Sequence, residues 1–231
     1  MVTKLSAIGL IFLVLASSAV ADEGFEGRPI TNNVWTATGY TLNKGEFIVG
    51  LGPIGFGITD NVQVGTNILL YLFQYYNANA KINLTKSPTM ALATGMDFGY
   101  FNLDVLDVGT SFTSLSPSAA YTRNVGTSTN LHFQVQYSYF SSESDIEDAE
   151  VKSTSTGTSV FSGIEYSLSQ KTKFLGEVSY DVTFEGFRLG GAVLFGWEKF
   201  RLKLGVSYYN PEGAGTGFTL PVIGLWWRFM G

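Results

Sequence analysis

Cysteine is absent from the 231-residue chain, so neither a disulfide framework nor a lipid-bearing cysteine anchor can organise it. Charge is scarce as well: Asp, Glu, Lys and Arg make up 14% of residues, against about 25% in ordinary soluble domains. The net charge of −5 excludes the concentrated basic surface that nucleic acid demands. Histidine occurs once, at His132. Beyond the first 21 residues no apolar run reaches the roughly 20 residues that a membrane-crossing helix needs. What the chain has instead is aromatic residues, at 15%, and 27 glycines. Low charge beside many aromatics suits a protein whose outer band faces hydrocarbon.

Residues 1–21 open with Lys4, continue through an apolar run from Leu5 to Ala16 and end in Ser17-Ser18-Ala19-Val20-Ala21. That is the pattern of a cleaved signal peptide, with the mature chain expected to start at Asp22. Residues 22–231 then form one all-β domain, beginning with a short polar lead over 22–33.

The stretch from Leu131 to Tyr139 sets the architecture. Leu131, Phe133, Val135, Tyr137 and Tyr139 alternate with His132, Gln134, Gln136 and Ser138, the period of two that sends side chains to opposite faces of a strand. The pattern recurs in Tyr76 to Leu84, in Phe174 to Val182 and in Arg201 to Tyr208. A face holding Arg201 and Lys203, or Glu177 and Asp181, cannot be a dry core without paired partners, yet it suits a wet lumen. The spacing predicts strands near 33–41, 46–57, 61–71, 75–85, 89–101, 111–123, 129–141, 155–168, 172–183, 187–197, 199–209 and 217–229. The expected fold is a transmembrane antiparallel up-and-down β-barrel of about twelve strands, or ten if the hairpin around Leu72-Phe73-Gln74, which lacks turn residues, is lost. Tight links at 57–61, 86–88, 124–127, 169–171 and 198–199 alternate with longer ones at 102–110, 142–154 and 210–216. Short periplasmic turns and long external loops produce this alternation.

The last strand, Phe218 to Phe229, is followed by Met230-Gly231. Its Gly224, Trp227 and Phe229 resemble the C-terminal assembly signal of Gram-negative outer-membrane β-barrel proteins, although Val222 stands where that pattern prefers a polar residue. The resemblance implies outer-membrane location, a lipid environment and insertion by the barrel-assembly machinery.

Other motifs read as architecture. Gly50-Leu51-Gly52-Pro53-Ile54-Gly55 matches a dinucleotide fingerprint in letters but lacks the helix that must follow it, so no cofactor is expected. His132 is the obvious candidate for general-base chemistry, yet Ser138 on the same strand lies roughly 20 Å away at about 3.3 Å per residue, and no catalytic residue is assigned. The acidic run Glu143, Asp145, Glu147, Asp148 and Glu150 reads as a solvated loop without the ligand spacing of a metal site. Tyr40, Tyr71, Tyr75, Tyr76, Tyr100, Phe101, Tyr139, Phe140, Tyr208 and Tyr209 are expected in an outer interfacial girdle, with Trp197 and Trp227 at the other interface. A sugar-binding track would need these rings inside, where alternation puts few of them.

Alternation assigns the lumen Lys81, Asp97, His132, Gln134 and Gln136, then Glu165, Lys173, Glu177 and Asp181, and finally Arg188, Arg201 and Lys203. Asp181 and Arg188 are expected to face each other in register, and Glu165 and Lys173 to meet diagonally. Arg201 and Lys203 are left as the source of a local positive field. The function expected is a small passive pore for solutes or ions. A non-conducting structural or surface-interaction barrel is the alternative, and an outer-membrane enzyme a further one.

Overall fold

The computed structural model describes Phe25 and residues 29–105, 108–146, 149–183, 185–211 and 216–229. The signal peptide expected at 1–21 lies outside the described residues. The strands are β1 (Phe47–Gly50), β2 (Pro53–Thr59), β3 (Val62–Asn67), β4 (Tyr75–Lys86), β5 (Met90–Val105), β6 (Val108–Asn124), β7 (Thr129–Ile146), β8 (Ala149–Ser169), β9 (Thr172–Asp181), β10 (Gly186–Gly196), β11 (Phe200–Asn210) and β12 (Phe218–Phe229). Each pairs antiparallel with its neighbours in sequence, and β1 pairs with β12 to close the barrel.

Burial is inverted relative to a soluble protein. On β7, Phe133, Val135, Tyr137 and Tyr139 are exposed on the outside, while His132 is 2% and Gln134 5% accessible. The same inversion runs through β9, where Phe174, Val178 and Tyr180 are exposed and Lys173, Glu177 and Ser179 are buried. A water-soluble sheet with one apolar face turns it inward, so the outer surface is built for an apolar surrounding.

The twelve strands differ from the sequence expectation in which residues form them. Residues 33–41 make no barrel strand; they run inside the lumen, because Val34, Trp35, Ala37 and Tyr40 fall on both parities and leave no single apolar face to present outward. The stretch 46–57 instead supplies two strands, β1 and β2, broken at Leu51-Gly52, where Gly52 takes a φ of +108° that side-chain-bearing residues rarely adopt. The weak link at Leu72-Phe73-Gln74 belongs to a 3₁₀ turn over Ile68–Phe73, capped by Gln74 in the left-handed region. The expected loops at 102–110 and 142–154 are largely strand. β7 and β8 stay paired out to Ile146 opposite Ala149, with Lys152 Nζ 3.2 Å from a Glu143 carboxylate oxygen, so this hairpin stands as a tall wall at one side.

The turns β2–β3, β4–β5, β6–β7, β8–β9 and β10–β11 are all short and lie at one end; the other end carries the β1–β2 turn, the 3₁₀ segment before β4, the tips of the tall β5–β6 and β7–β8 hairpins and the link before β12. At the short-turn end Phe195, Trp197, Phe200 and Trp227 form a chain of ring contacts, with centroids 5.2–6.2 Å apart. The girdle expected at the opposite end is split. Tyr76, Tyr139 and Tyr208 are exposed, but Tyr75 turns inward to Ser114 (3.2 Å between hydroxyls), Phe140 stacks on Phe112, and Tyr40 is buried inside the lumen.

The closing seam is short. β1 meets β12 through four pairs, Phe47 opposite Phe229 to Gly50 opposite Trp226. Just inside it, Arg228 donates from Nε and Nη2 to the two carboxylate oxygens of Glu46 and from Nη1 to the Pro29 carbonyl at 3.2 Å. This buried fork ties β12, the start of β1 and the chain entering the lumen.

Candidate functional site

The lumen is the site, and its short-turn half is filled by the chain's own residues 29–45. The filling segment is a hairpin. Asn33 N donates to Thr36 O (2.8 Å), Thr38 N to Thr31 O (3.0 Å), and Asn32 bridges Ala37, so the tip falls at Val34-Trp35.

Because this hairpin has no neighbouring strand to share a ladder with, its buried backbone groups must find partners elsewhere. Polar side chains of the wall provide them. Glu177 Oε2 accepts from Trp35 N (3.2 Å), Thr36 N (3.3 Å) and Thr36 Oγ1 (2.7 Å). Gln134 Oε1 accepts from Ala37 N (2.9 Å), Thr122 Oγ1 from Gly39 N (2.8 Å), Asn83 Oδ1 from Thr41 N (3.1 Å) and Gln63 Oε1 from Leu42 N (2.9 Å). The cations take the carbonyls: Lys203 Nζ donates to Asn33 O and Val34 O, both at 2.8 Å, and Lys81 Nζ to Thr31 O (3.0 Å) and Thr38 O (3.3 Å). Gly39 permits the close approach, since a Cβ there would lie 2.3 Å from Ala91 O.

Apolar packing fixes one flank. Phe25, Ile30 and Val34 cluster with Leu175, Ala192, Leu194 and Val222 on the inner faces of β9, β10 and β12. Lys173 and Arg201 lie over the Phe25 ring, at 4.7 and 5.1 Å from its centroid. This explains Val222, the residue out of place in the C-terminal pattern: it faces the plug and not water. Apolar residues at inner positions of four neighbouring sites are the sequence signal that would have revealed a plug.

The expected charge pattern is corrected by the same geometry. Arg201 also donates to Trp197 O and to Phe200 O (2.9 Å), and Lys203 donates to plug carbonyls, so both hold backbone in place. Asp181 sits opposite Gly186 and Arg188 opposite Ser179, two residues out of the expected register; Asp181 accepts from Ser159 Oγ (2.8 Å). Glu165 and Lys173 do meet diagonally as an ion pair, and His132 Nε2 lies 3.4 Å from the same carboxyl group. His132 Nδ1 is 2.9 Å from Thr122 Oγ1. Hydroxyl, imidazole and carboxyl are thus in sequence, but Thr122 is wholly buried and already accepts from Gly39, so the group supports the plug. Ser138 is bonded to Ser116 at 3.0 Å.

Beyond the tip the lumen opens toward the long-hairpin end. A cavity of about 310 Å³ is bounded by Asn32 and Trp35 of the plug and by wall residues including Lys81, Asp97, Gln136 and Arg188. A further space of about 320 Å³, sharing Asp97 and Gln136, continues past Ser116 and Tyr75.

The fold is porin-like. A KdgM porin in complex with disordered oligogalacturonate aligns over 80% of this chain and 96% of its own, with a TM-score of 0.54 at 9% identity. A second KdgM porin structure aligns over the same shares with a TM-score of 0.52 at 11% identity. Ail, the attachment invasion locus protein of Yersinia pestis, aligns over 81% of this chain and all of its own, with a TM-score of 0.37 at 10% identity. At these identities the two KdgM alignments speak to fold alone. No protein-family model matches the chain, and no curated protein matches it in sequence.

Proposed function

We propose that the protein is an outer-membrane barrel whose pore is closed at rest by residues 29–45 and conducts small solutes or ions when that hairpin leaves the lumen. The observation that carries the reading is the kind of contact holding the hairpin: its tip and returning limb are bound by hydrogen bonds to polar wall residues, groups that water can take over at modest net cost once the hairpin withdraws. The apolar exterior supports a lipid environment, and Gly224, Trp227 and Phe229 on the closing strand β12 support insertion by the barrel-assembly machinery. Charged residues lining an opened lumen would then set ion preference.

The apolar cluster around Phe25 favours a second reading, a structural barrel closed permanently. Planar-bilayer recording separates the two. The full chain is expected to be silent most of the time with brief stepwise openings; complete silence, persisting in variants that weaken the tip contacts, is the result that would leave a structural barrel.

Location and orientation are tested in cells. The protein should fractionate with the outer membrane and require detergent for extraction. An epitope at Asp148 should be reached by antibody on intact cells and one between Gln170 and Lys171 should not; the reverse labelling would invert the orientation, and recovery as a soluble protein would remove the lipid assignment.

A further inference from the structure

Arg188 differs from the other lumen cations in having nothing to bond. Lys81, Lys173, Lys203 and Arg228 are each engaged by carbonyls or carboxylates. Among the described residues, Arg188 has no hydrogen bond or ion pair. Its guanidinium lies 5.2 Å from the centroid of the Tyr209 ring and 5.9 Å from that of Trp35. Ring contacts occupy the faces of a guanidinium. They leave its in-plane N–H groups, the fork that matches a carboxylate, free to donate.

Trp35 is the second anomaly. It stands at the tip of the plug, 45% exposed, in a cavity otherwise lined mostly by amides, hydroxyls and charged groups. Glu177 holds its backbone N–H, and the Arg188 guanidinium lies over its ring. An exposed indole beside a guanidinium whose N–H groups have no acceptor among the described residues, within about 310 Å³, is a stacking platform next to an anion donor. That volume is at the lower end of small-molecule pockets, which begin near 300 Å³. Asp97 is the one carboxylate among the lining residues, and it disfavours a second negative charge on anything bound.

We propose that this vestibule binds a small monocarboxylate carried on a ring, the carboxylate on Arg188 and the ring face on Trp35. Gln134 and Gln136, which line the same cavity, supply polar edges for ring substituents. The site faces the long-hairpin end and is complete with the plug in place, so it goes beyond the pore reading and stands whether or not the barrel conducts.

The test uses the purified full chain in detergent, titrated by calorimetry with benzoate and glucuronate. Benzamide serves as the neutral ring and acetate as the carboxylate without a ring. At least one ring acid should bind saturably and about tenfold more tightly than benzamide or acetate. Preference for benzoate marks an aromatic acid, and preference for glucuronate a sugar acid. R188Q should weaken the ring acid about tenfold and leave benzamide unchanged, whereas W35A should erase the advantage of the ring acid over acetate. R188K, which keeps the charge but loses the fork, should recover only part of the binding. The proposal is overturned if neither ring acid binds, if acetate binds as well as they do, or if R188Q binds them undiminished. Conductance plays no part in these readouts, so failure here leaves the pore reading untouched, and a silent barrel leaves this one untouched.

Discussion

Glu177→Ala should convert a mostly silent barrel into one that opens frequently. The Glu177 carboxylate accepts three hydrogen bonds from the plug tip, and a bond to a charged group contributes about 1.5–3 kcal/mol net of the exchange with water. Even a net loss of about 3 kcal/mol shifts a closed-to-open equilibrium by roughly a hundredfold. Single-channel recording should therefore show open probability rising by that order. Glu177→Gln, which keeps one carbonyl acceptor, should fall between Glu177→Ala and the parent. Deleting residues 29–44 should leave the channel open continuously, with Glu46 retained for Arg228. That deletion also wets Leu175, Leu194 and Val222, so a lower refolding yield is expected with it; Glu177→Ala leaves this apolar cluster intact and tests the same idea in a folded barrel. Unchanged silence in Glu177→Ala would mean that the tip contacts do not hold the closed state.

The second large effect is expected on the seam. Arg228 and Glu46 are both buried, and only four residue pairs join β1 to β12. Breaking a buried ion pair by removing one partner costs about 3–5 kcal/mol. Arg228→Met should abolish or sharply lower the temperature of the heat-modifiable mobility shift of the folded barrel. The double variant Glu46→Gln with Arg228→Met, which removes both charges of the pair, should recover much of the loss. Equal damage in the single and double variants would show that the arginine acts through packing and not through the pair.

The barrel was legible because strand alternation is a local property. From Leu131 to Tyr139 each side chain's face follows from parity alone: on the polar face His132 and Gln134 are buried in the lumen and Gln136 and Ser138 half-buried. Strand identity near the N-terminal end was not legible in the same way. An up-and-down barrel of this kind requires an even number of strands, and 33–41 filled the count only because the turn at Leu51-Gly52 was passed over inside a glycine-rich stretch. Two errors cancelled to give twelve. The plug escaped because its partners are remote in sequence: Asn33 Nδ2 reaches Gly176 O across 143 positions, and no period encodes that contact. The surroundings of Arg201 and Lys203 are illegible for the same reason, since their contacts include chain inside the lumen, and strand pairing sets Arg188 opposite Ser179 and not Asp181.

A disulfide lock tests the closure directly. A Cβ built on Gly190 would lie 3.6 Å from the Val34 Cβ, within the 3.5–4.5 Å that a disulfide spans, and the absence of native cysteine leaves no competing thiol. In a Glu177→Ala background, Val34→Cys with Gly190→Cys should be silent in planar bilayers when oxidised and should open on addition of dithiothreitol, while the Glu177→Ala parent ignores the reductant. Equal current through the oxidised and reduced forms would contradict the account, because a hairpin bolted to β10 would then not be what closes the lumen.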